Sequence, residues 1–460
     1  MKVKYGFIKS KISNNKCIDW GFLFLALIYR CMLDWAYLAL SDSYYEVQFR
    51  LNINEIKLVT SYIVVLILCL LTMHGNTSKV FLIRMILFMT IIPNTSVYAM
   101  RDGSNFFFIW VTASFAIIEI LLLNFKFKWE AGSRQCMIKD RSGLTKKQSG
   151  KKNTDQTGMV LNLFLLLFSI ITMLFMYSAN GLPGTVALNL YKVYEVRSSY
   201  QASKYLNYAI ALVSTVIVPF GLADGYITRS VWKIVFYSIV QLMLFLWTGN
   251  KVFLFTLIII GVAIIIYKYK LSLNLFFYGI TFVVFGGNLS CIFDSKIFSF
   301  VFSFVNRRMI LDSATLKYFY FDYFIVKRNP ILGFGGTILA PFLRSGASSA
   351  YRYDLSYRYT GIESNANTGL YGGDLANLGM WAFIVVPILI IILFSLIERT
   401  ERYCGSEFAL LFFVYTVYYL NETCIFLYLL NFTGILLIMI VMFYRYKSGK
   451  TEEINAVGAG

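Results

Sequence analysis

Stretches of about twenty apolar residues recur along this chain, separated by short polar segments. A bilayer core about 30 Å thick takes about 20 apolar residues of helix to cross, so the pattern predicts about 12 spans. They begin with 18–40 and a second run ending near Met73, then 80–100, 105–125, 158–178 and 205–224. The next three cover 231–247, 252–267 and 271–292, and the last three cover 376–397, 408–420 and 424–444. The longest interruptions are 126–157, 180–204 and 293–376, whereas Thr248-Gly249-Asn250-Lys251 reads as a tight turn.

Composition agrees with the pattern. The 460 residues are 58% hydrophobic and 14% charged, where a soluble domain carries about 25% charge, and the mean hydropathy is +0.65. The expected fold class is therefore an all-α polytopic integral membrane protein. A net charge of +18 would suit nucleic acid, but the lysines and arginines fall in short segments between apolar runs. Those are the positions that membrane topology assigns to them. Placing 1–16, 126–152, 268–270 and 445–450 on the cytoplasmic side is consistent with about 12 helices and puts both termini there. His74, the one histidine, falls on the same side. The first apolar run lacks a small-residue cleavage pattern after it and reads as a retained helix. Arg30 and Asp34 inside it are spaced for an i, i+4 ion pair. The seven cysteines show no paired spacing, so no metal site or disulfide scaffold is indicated.

Three parts follow. Residues 1–292 hold helices 1–9 and the basic loop 126–157. Residues 293–376 form a large external loop between helices 9 and 10, and 377–460 hold helices 10–12 and a cytoplasmic tail. The large loop concentrates the unusual chemistry: Arg307-Arg308, Asp312, Tyr318, Asp322, Tyr323, Arg352, Asp354, Arg358, Glu363 and then Ser364-Asn365-Ala366-Asn367-Thr368-Gly369. Its aromatic run 318–324 predicts an amphipathic helix on the membrane or across a cleft. Asn329-Pro330 with Gly333, Gly335 and Gly336 cannot continue a helix. Arginine forks bind phosphate through paired charge-assisted bonds. Aromatic faces beside Asn and Asp suit carbohydrate, with its apolar CH faces and hydroxyl rim. A polyprenyl-linked glycan carries both features. Single arginines and tyrosines also serve as interfacial anchors, but such a belt needs neither carboxylates nor Asn-rich turns.

Asn365-Ala366-Asn367-Thr368-Gly369, followed by Gly373-Asp374-Leu375-Ala376-Asn377-Leu378-Gly379, resembles the C-terminal motif of bacterial oligosaccharide repeat-unit polymerases, the Wzy proteins of O-antigen and capsule synthesis. Arg307-Arg308, Tyr318, Phe321 and Asn329-Pro330 fit the same family. So does the 248–251 turn, although Asn250-Lys251 stands where the family usually has Ser-Arg; that keeps the charge and gives up the fork. The resemblance spans roughly 190–400. It implies a GT-C-like bundle in the bacterial inner membrane with its active face in the periplasm. The implied reaction is an inverting, metal-independent glycosyl transfer, without a cofactor, between undecaprenyl-pyrophosphate-linked glycans as donor and acceptor, among membrane lipid and with a chain-length regulator as partner. It makes Arg197, Lys251, Arg307 and Arg308 the pyrophosphate ligands. Tyr318, Tyr323, Asn365, Asn367, Asp374 and Asn377 become candidate sugar ligands. A carboxylate of the large loop, Glu363 or Asp322 ahead of Asp312, Asp354 or Asp374, is the candidate proton acceptor. The carboxylates could equally be ion-pair partners of the arginines. An O-antigen ligase shares the topology, but a cytoplasmic His74 leaves it without the periplasmic histidine implicated in such enzymes. A flippase of lipid-linked sugars would carry its charge along the spans.

Overall fold

The computed structural model describes residues 19–42, 47–72, 77–124, 151–188, 193–334, 337, 351–361, 366 and 369–444. Among them every regular element is helical. Among the described residues nine helices are long and apolar enough to cross a membrane, and two shorter ones, Ser406–Tyr419 and Phe432–Phe443, are apolar as well. The chain is thus an all-α, membrane-embedded protein. His74, Arg344, Glu363, Asn365 and Asn367 lie outside the described residues, as does 125–150 of the basic loop.

The first helices are α1 (Trp20–Ser41), α2 (Glu55–Leu71), α3 (Ser78–Met100), α4 (Asn105–Asn124) and α5 (Lys151–Asn180). Each start has a chemical cause where a side chain caps it. The Asp19 carboxylate accepts from Phe22 N at 3.1 Å, the Asn54 amide oxygen from Lys57 N at 3.1 Å, and Thr77 Oγ1 from Val80 N at 3.3 Å. These bonds satisfy amides that the first helical turn leaves without partners. The outcome differs from the expected loop at one end: α5 is already helical at Lys151. The Arg30–Asp34 pair forms as its spacing suggested, and it joins a buried network. Arg30 donates to Thr95 Oγ1 at 2.9 Å and Ser61 Oγ at 3.1 Å, and Asp34 accepts from Tyr62 at 2.8 Å. The network ties α1, α2 and α3 together.

After the short α6 (Val193–Ser199) come α7 (Lys204–Ile227), α8 (Val231–Thr248), α9 (Lys251–Lys268) and α10 (Asn274–Cys291). The large external loop then departs from expectation. Residues 296–326 form α11, a continuous helix with π-helical stretches at Phe302–Leu311 and Asp322–Val326. Its middle, Ser313–Phe321, is buried on every side. The aromatic run is therefore core and not an amphipathic surface, as befits a helix with bulky apolar residues all round. Helix α11 ends before Asn329-Pro330, with Arg328 at φ 53°. Beyond it lie α12 (Tyr351–Thr360) and a buried, kinked segment, Gly369–Gly373 with Asp374–Leu378.

The remaining helices are α13 (Ala382–Cys404), α14 (Ser406–Tyr419), α15 (Ile425–Leu430) and α16 (Phe432–Phe443). The span expected at 376–397 falls within the candidate span Gly369–Cys404, whose regular α-helix begins at Ala382 and stops at Gly405. The last expected span breaks at Asn431, which has an extended φ of −99° and ψ of 175°. Helix α14, the shortest predicted span, lies at the centre. Phe408–Tyr418 are all buried, and α14 packs against α3, α7, α9 and α13.

Candidate functional site

One end of the bundle gathers the α6 segment, the α8–α9 turn, the π-helical part of α11 and the turn after α14 around a cavity of about 480 Å³. The volume falls in the range of small-molecule sites. Arg197, Lys251 and Arg308 all line it. Three of the four residues expected to bind pyrophosphate are therefore brought together from positions far apart in the chain.

The α8–α9 turn explains how Lys251 and Arg197 meet. Gly249 closes α8 at φ +60°, and a Cβ there would sit 2.7 Å from the Val193 carbonyl oxygen, so the turn needs glycine for both backbone sign and space. That close approach lays α6 against the turn. Arg197 Nε donates to the Gly249 carbonyl at 3.1 Å. Asn250 then caps α9, accepting from Val252 N at 3.3 Å, and Lys251 Nζ lies 4.7 Å from the centre of the Phe304 ring. The N-terminus of α9 adds its own positive field at this end of the cavity. Two π-helical stretches border the site, Val213–Ile217 with Ser214 and Thr215, and Phe302–Leu311 with Phe304 and Arg308. Such widened turns shift the side chains that follow to new faces. Arg308 thus faces the cavity while Arg307 turns to Asp312 at 3.5 Å and Ser303 at 3.1 Å.

The other expected site residues are placed elsewhere. Asp322 pairs with Lys327 at 3.0 Å and accepts from the Tyr359 hydroxyl. It stands on α11 about four turns beyond Arg308, roughly 20 Å along the helix. Tyr323 donates to Asp354 at 2.7 Å, and the buried Tyr318 donates to the Asn94 carbonyl at 3.1 Å. Asp374 is fully buried. Its carboxylate accepts from Tyr371 N at 3.1 Å and Phe426 N at 3.0 Å, joining the kinked segment to the start of α15. Asn377 donates to Gly373 O at 2.7 Å. These contacts give Asp374, Asn377 and Tyr318 internal partners within the bundle.

Beneath the cavity lies a buried polar knot. Asn421 Nδ2 donates to the Met309 carbonyl at 3.0 Å, Ser313 Oγ donates to Asn421 O at 3.0 Å, and Lys317 Nζ donates to Asn421 Oδ1 at 3.3 Å. Gly369 and Gly372 pack directly on Lys317, leaving no room for a side chain: a Cβ at Gly369 would meet Asn421 O at 2.9 Å. Burial pulls the Lys317 ammonium down to about 7, because charge is penalised away from water. Burial likewise pushes the Asp312 carboxyl up to about 6, against the pull of Arg307 and Arg308.

Sequence reasoning noted Tyr200 beside Arg197 in the 180–204 loop but missed Glu422, Tyr418 and Tyr419, which also line the cavity. Asn421-Glu422-Thr423 read as a mere break between two apolar runs. An acid in so short an outer turn was the available signal.

No protein-family model, curated protein or solved structure matches this chain.

Proposed function

We propose that this membrane protein is a polysaccharide polymerase. It joins undecaprenyl-pyrophosphate-linked oligosaccharide repeat units by inverting, metal-independent glycosyl transfer, at the periplasmic face of a bacterial inner membrane. One observation carries the reading: Arg197, Lys251 and Arg308, from three separate elements, line a single cavity together with tyrosines and asparagines. A pyrophosphate leaving group needs concentrated positive charge where its own charge develops, and fixed cations in a water-poor cleft supply it. The Arg forks grip phosphate oxygens in pairs, and Lys251 acts as a point charge. Tyr200 and Asn207, joined by a 2.8 Å hydrogen bond, offer the ring face and amide that a sugar would meet.

The donor's anomeric carbon would sit at the edge of this cation cluster. The acceptor hydroxyl attacks it from the side opposite the pyrophosphate, which inverts the centre. Deleting the gene in its native strain tests the reading. A polymerase leaves single repeat units on the carrier or on the lipid core. Carrier-linked polymer accumulating instead would indicate a ligase, and lipid-linked units trapped facing inward a flippase. Either pattern overturns the proposal.

A further inference from the structure

We infer that a second cavity, beside the cationic one, receives the sugars of the donor's repeat unit that lie nearest the pyrophosphate, and that these sugars are uncharged; the inference rests on the polymerase reading above. The second cavity measures about 410 Å³ and adjoins the first through shared walls. Tyr200 lines both. On α6, Arg197 lines the first cavity while Val196 and Ser199 line the second. At the end of α8, Thr248 lines the first and Trp247 the second. A glycan is joined directly to its pyrophosphate, so a site that grips the phosphates must open into space for sugar. The second cavity is such a space, one side chain away.

The two linings differ in chemistry. The first carries Arg197, Lys251, Arg308 and Glu422. Among the described residues, none that lines the second is charged. Its polar side chains are the amides of Asn180 and Gln201 and the hydroxyls of Ser199 and Tyr200, with Pro183 and Leu246 as apolar surface. Amides and hydroxyls exchange hydrogen bonds with sugar hydroxyls, and ring faces meet sugar CH groups. Ser199 Oγ donates to Val196 O at 3.0 Å, which leaves its oxygen able to accept. A carboxylate brought in here would shed water with no cation on the lining to receive it.

The walls are fixed in advance. Asn180 Nδ2 donates to Gln201 O at 2.9 Å, and Gln201 N donates back to Asn180 Oδ1 at 2.9 Å. That clamp closes the loop after α5 onto the start of α7. Trp247 Nε1 donates to Gly181 O at 2.9 Å, and the Tyr200 hydroxyl donates to Asn207 at 2.8 Å. A frame held by its own bonds leaves a ligand little to order.

The test uses the full chain in lipid nanodiscs and two probes, undecaprenyl pyrophosphate and the lipid-linked repeat unit extracted from a strain deleted for the gene. Gly184 lines the second cavity, and a Cβ on it meets nothing within 4 Å, so Gly184→Trp fills the space without a backbone clash. It is expected to weaken binding of the repeat unit by about tenfold or more, the loss of two or more hydrogen bonds, with undecaprenyl pyrophosphate within about threefold of wild type. Equal loss of both probes overturns the inference, because the cavity would then hold the carrier's chain. So does an unchanged affinity for the repeat unit. Gln201→Ala keeps the clamp, which uses only backbone groups of Gln201, and is expected to weaken the repeat unit alone by about fivefold. Should Gly184→Trp fail to fold, an unchanged affinity in Gln201→Ala overturns the inference. Mass spectrometry of the extracted unit tests the charge: uncharged sugars are expected next to the pyrophosphate, and an acidic sugar there overturns the assignment. Failure of the wild type to bind undecaprenyl pyrophosphate overturns the polymerase reading beneath.

Discussion

Arg30 and Arg308 are both arginines of a membrane protein, and their surroundings could hardly differ more. Arg30 is fully buried and matched group for group: Asp34 for charge, Ser61, Thr95 and the Thr95 carbonyl for its remaining N–H groups. Nothing is left there for a ligand to do. Arg308 lines a cavity together with Arg197, Lys251 and Glu422. A balanced network of this kind holds helices together. Cations gathered on the lining of a cavity suit an anion brought in from outside.

The largest effect is expected from breaking the balanced network. Asp34→Ala leaves the Arg30 charge in the bundle without its carboxylate, a loss of about 3–5 kcal/mol. Thermal unfolding in nanodiscs should show a large fall in Tm, and an unchanged Tm would mean the pair does not hold α1, α2 and α3 together. Arg308→Ala should do the opposite. On the proposed function its main effect should fall on polymerisation, a loss of about 10²–10³, the usual cost of removing one group that stabilises a leaving charge, with a smaller fall in Tm than Asp34→Ala gives. Chain-length profiles of surface polymer at matched expression would read it out, and a normal profile would break the contrast between the two arginines.

The two regions were unequally legible in sequence. The Arg30–Asp34 pair could be read from spacing alone, because an i, i+4 pair needs only one helix. Arg197, Lys251 and Arg308 stood out as cations between apolar runs, but their meeting depends on the Gly249 turn pressing against Val193. Which of Arg307 and Arg308 faces the cavity depends on a π-helical stretch that no residue pattern announces. The aromatic run 318–324 misled because tyrosine hydroxyls suggest a wet face. In the fold those hydroxyls find partners inside, as Tyr318 does on Asn94 and Tyr320 on Ala366. Gly369, Gly373, Asp374 and Asn377 belong to the motif that resembled the polymerases. They sit in a buried segment that packs on Lys317 and is bonded to the start of α15.

Lys317 lies between these extremes, a buried amine bonded to the Asn421 amide, with the Glu422 carboxylate acting on it through space. Its ammonium is lowered to about 7 in the fold from the ordinary 10.5, so the folded protein favours the neutral amine. The stability this contributes is present above the unfolded lysine's pKa and lost as pH falls toward about 7. The wild-type Tm should therefore decline between about pH 10 and pH 7, and Lys317→Met should flatten that decline. An equally steep decline in Lys317→Met would place the titration on another group.

Asp322 supplies the smallest expected effect and the sharpest check on where the chemistry resides. Its carboxylate is more than a third exposed and pairs with a half-exposed Lys327, an arrangement worth about 0–1 kcal/mol. It stands about four turns along α11 from Arg308, too far to take a proton from a hydroxyl attacking beside the cation cluster. Asp322→Asn should therefore leave both Tm and polymer length close to wild type. Short polymer in Asp322→Asn at normal Tm would mean that the acceptor approaches from the α12 side.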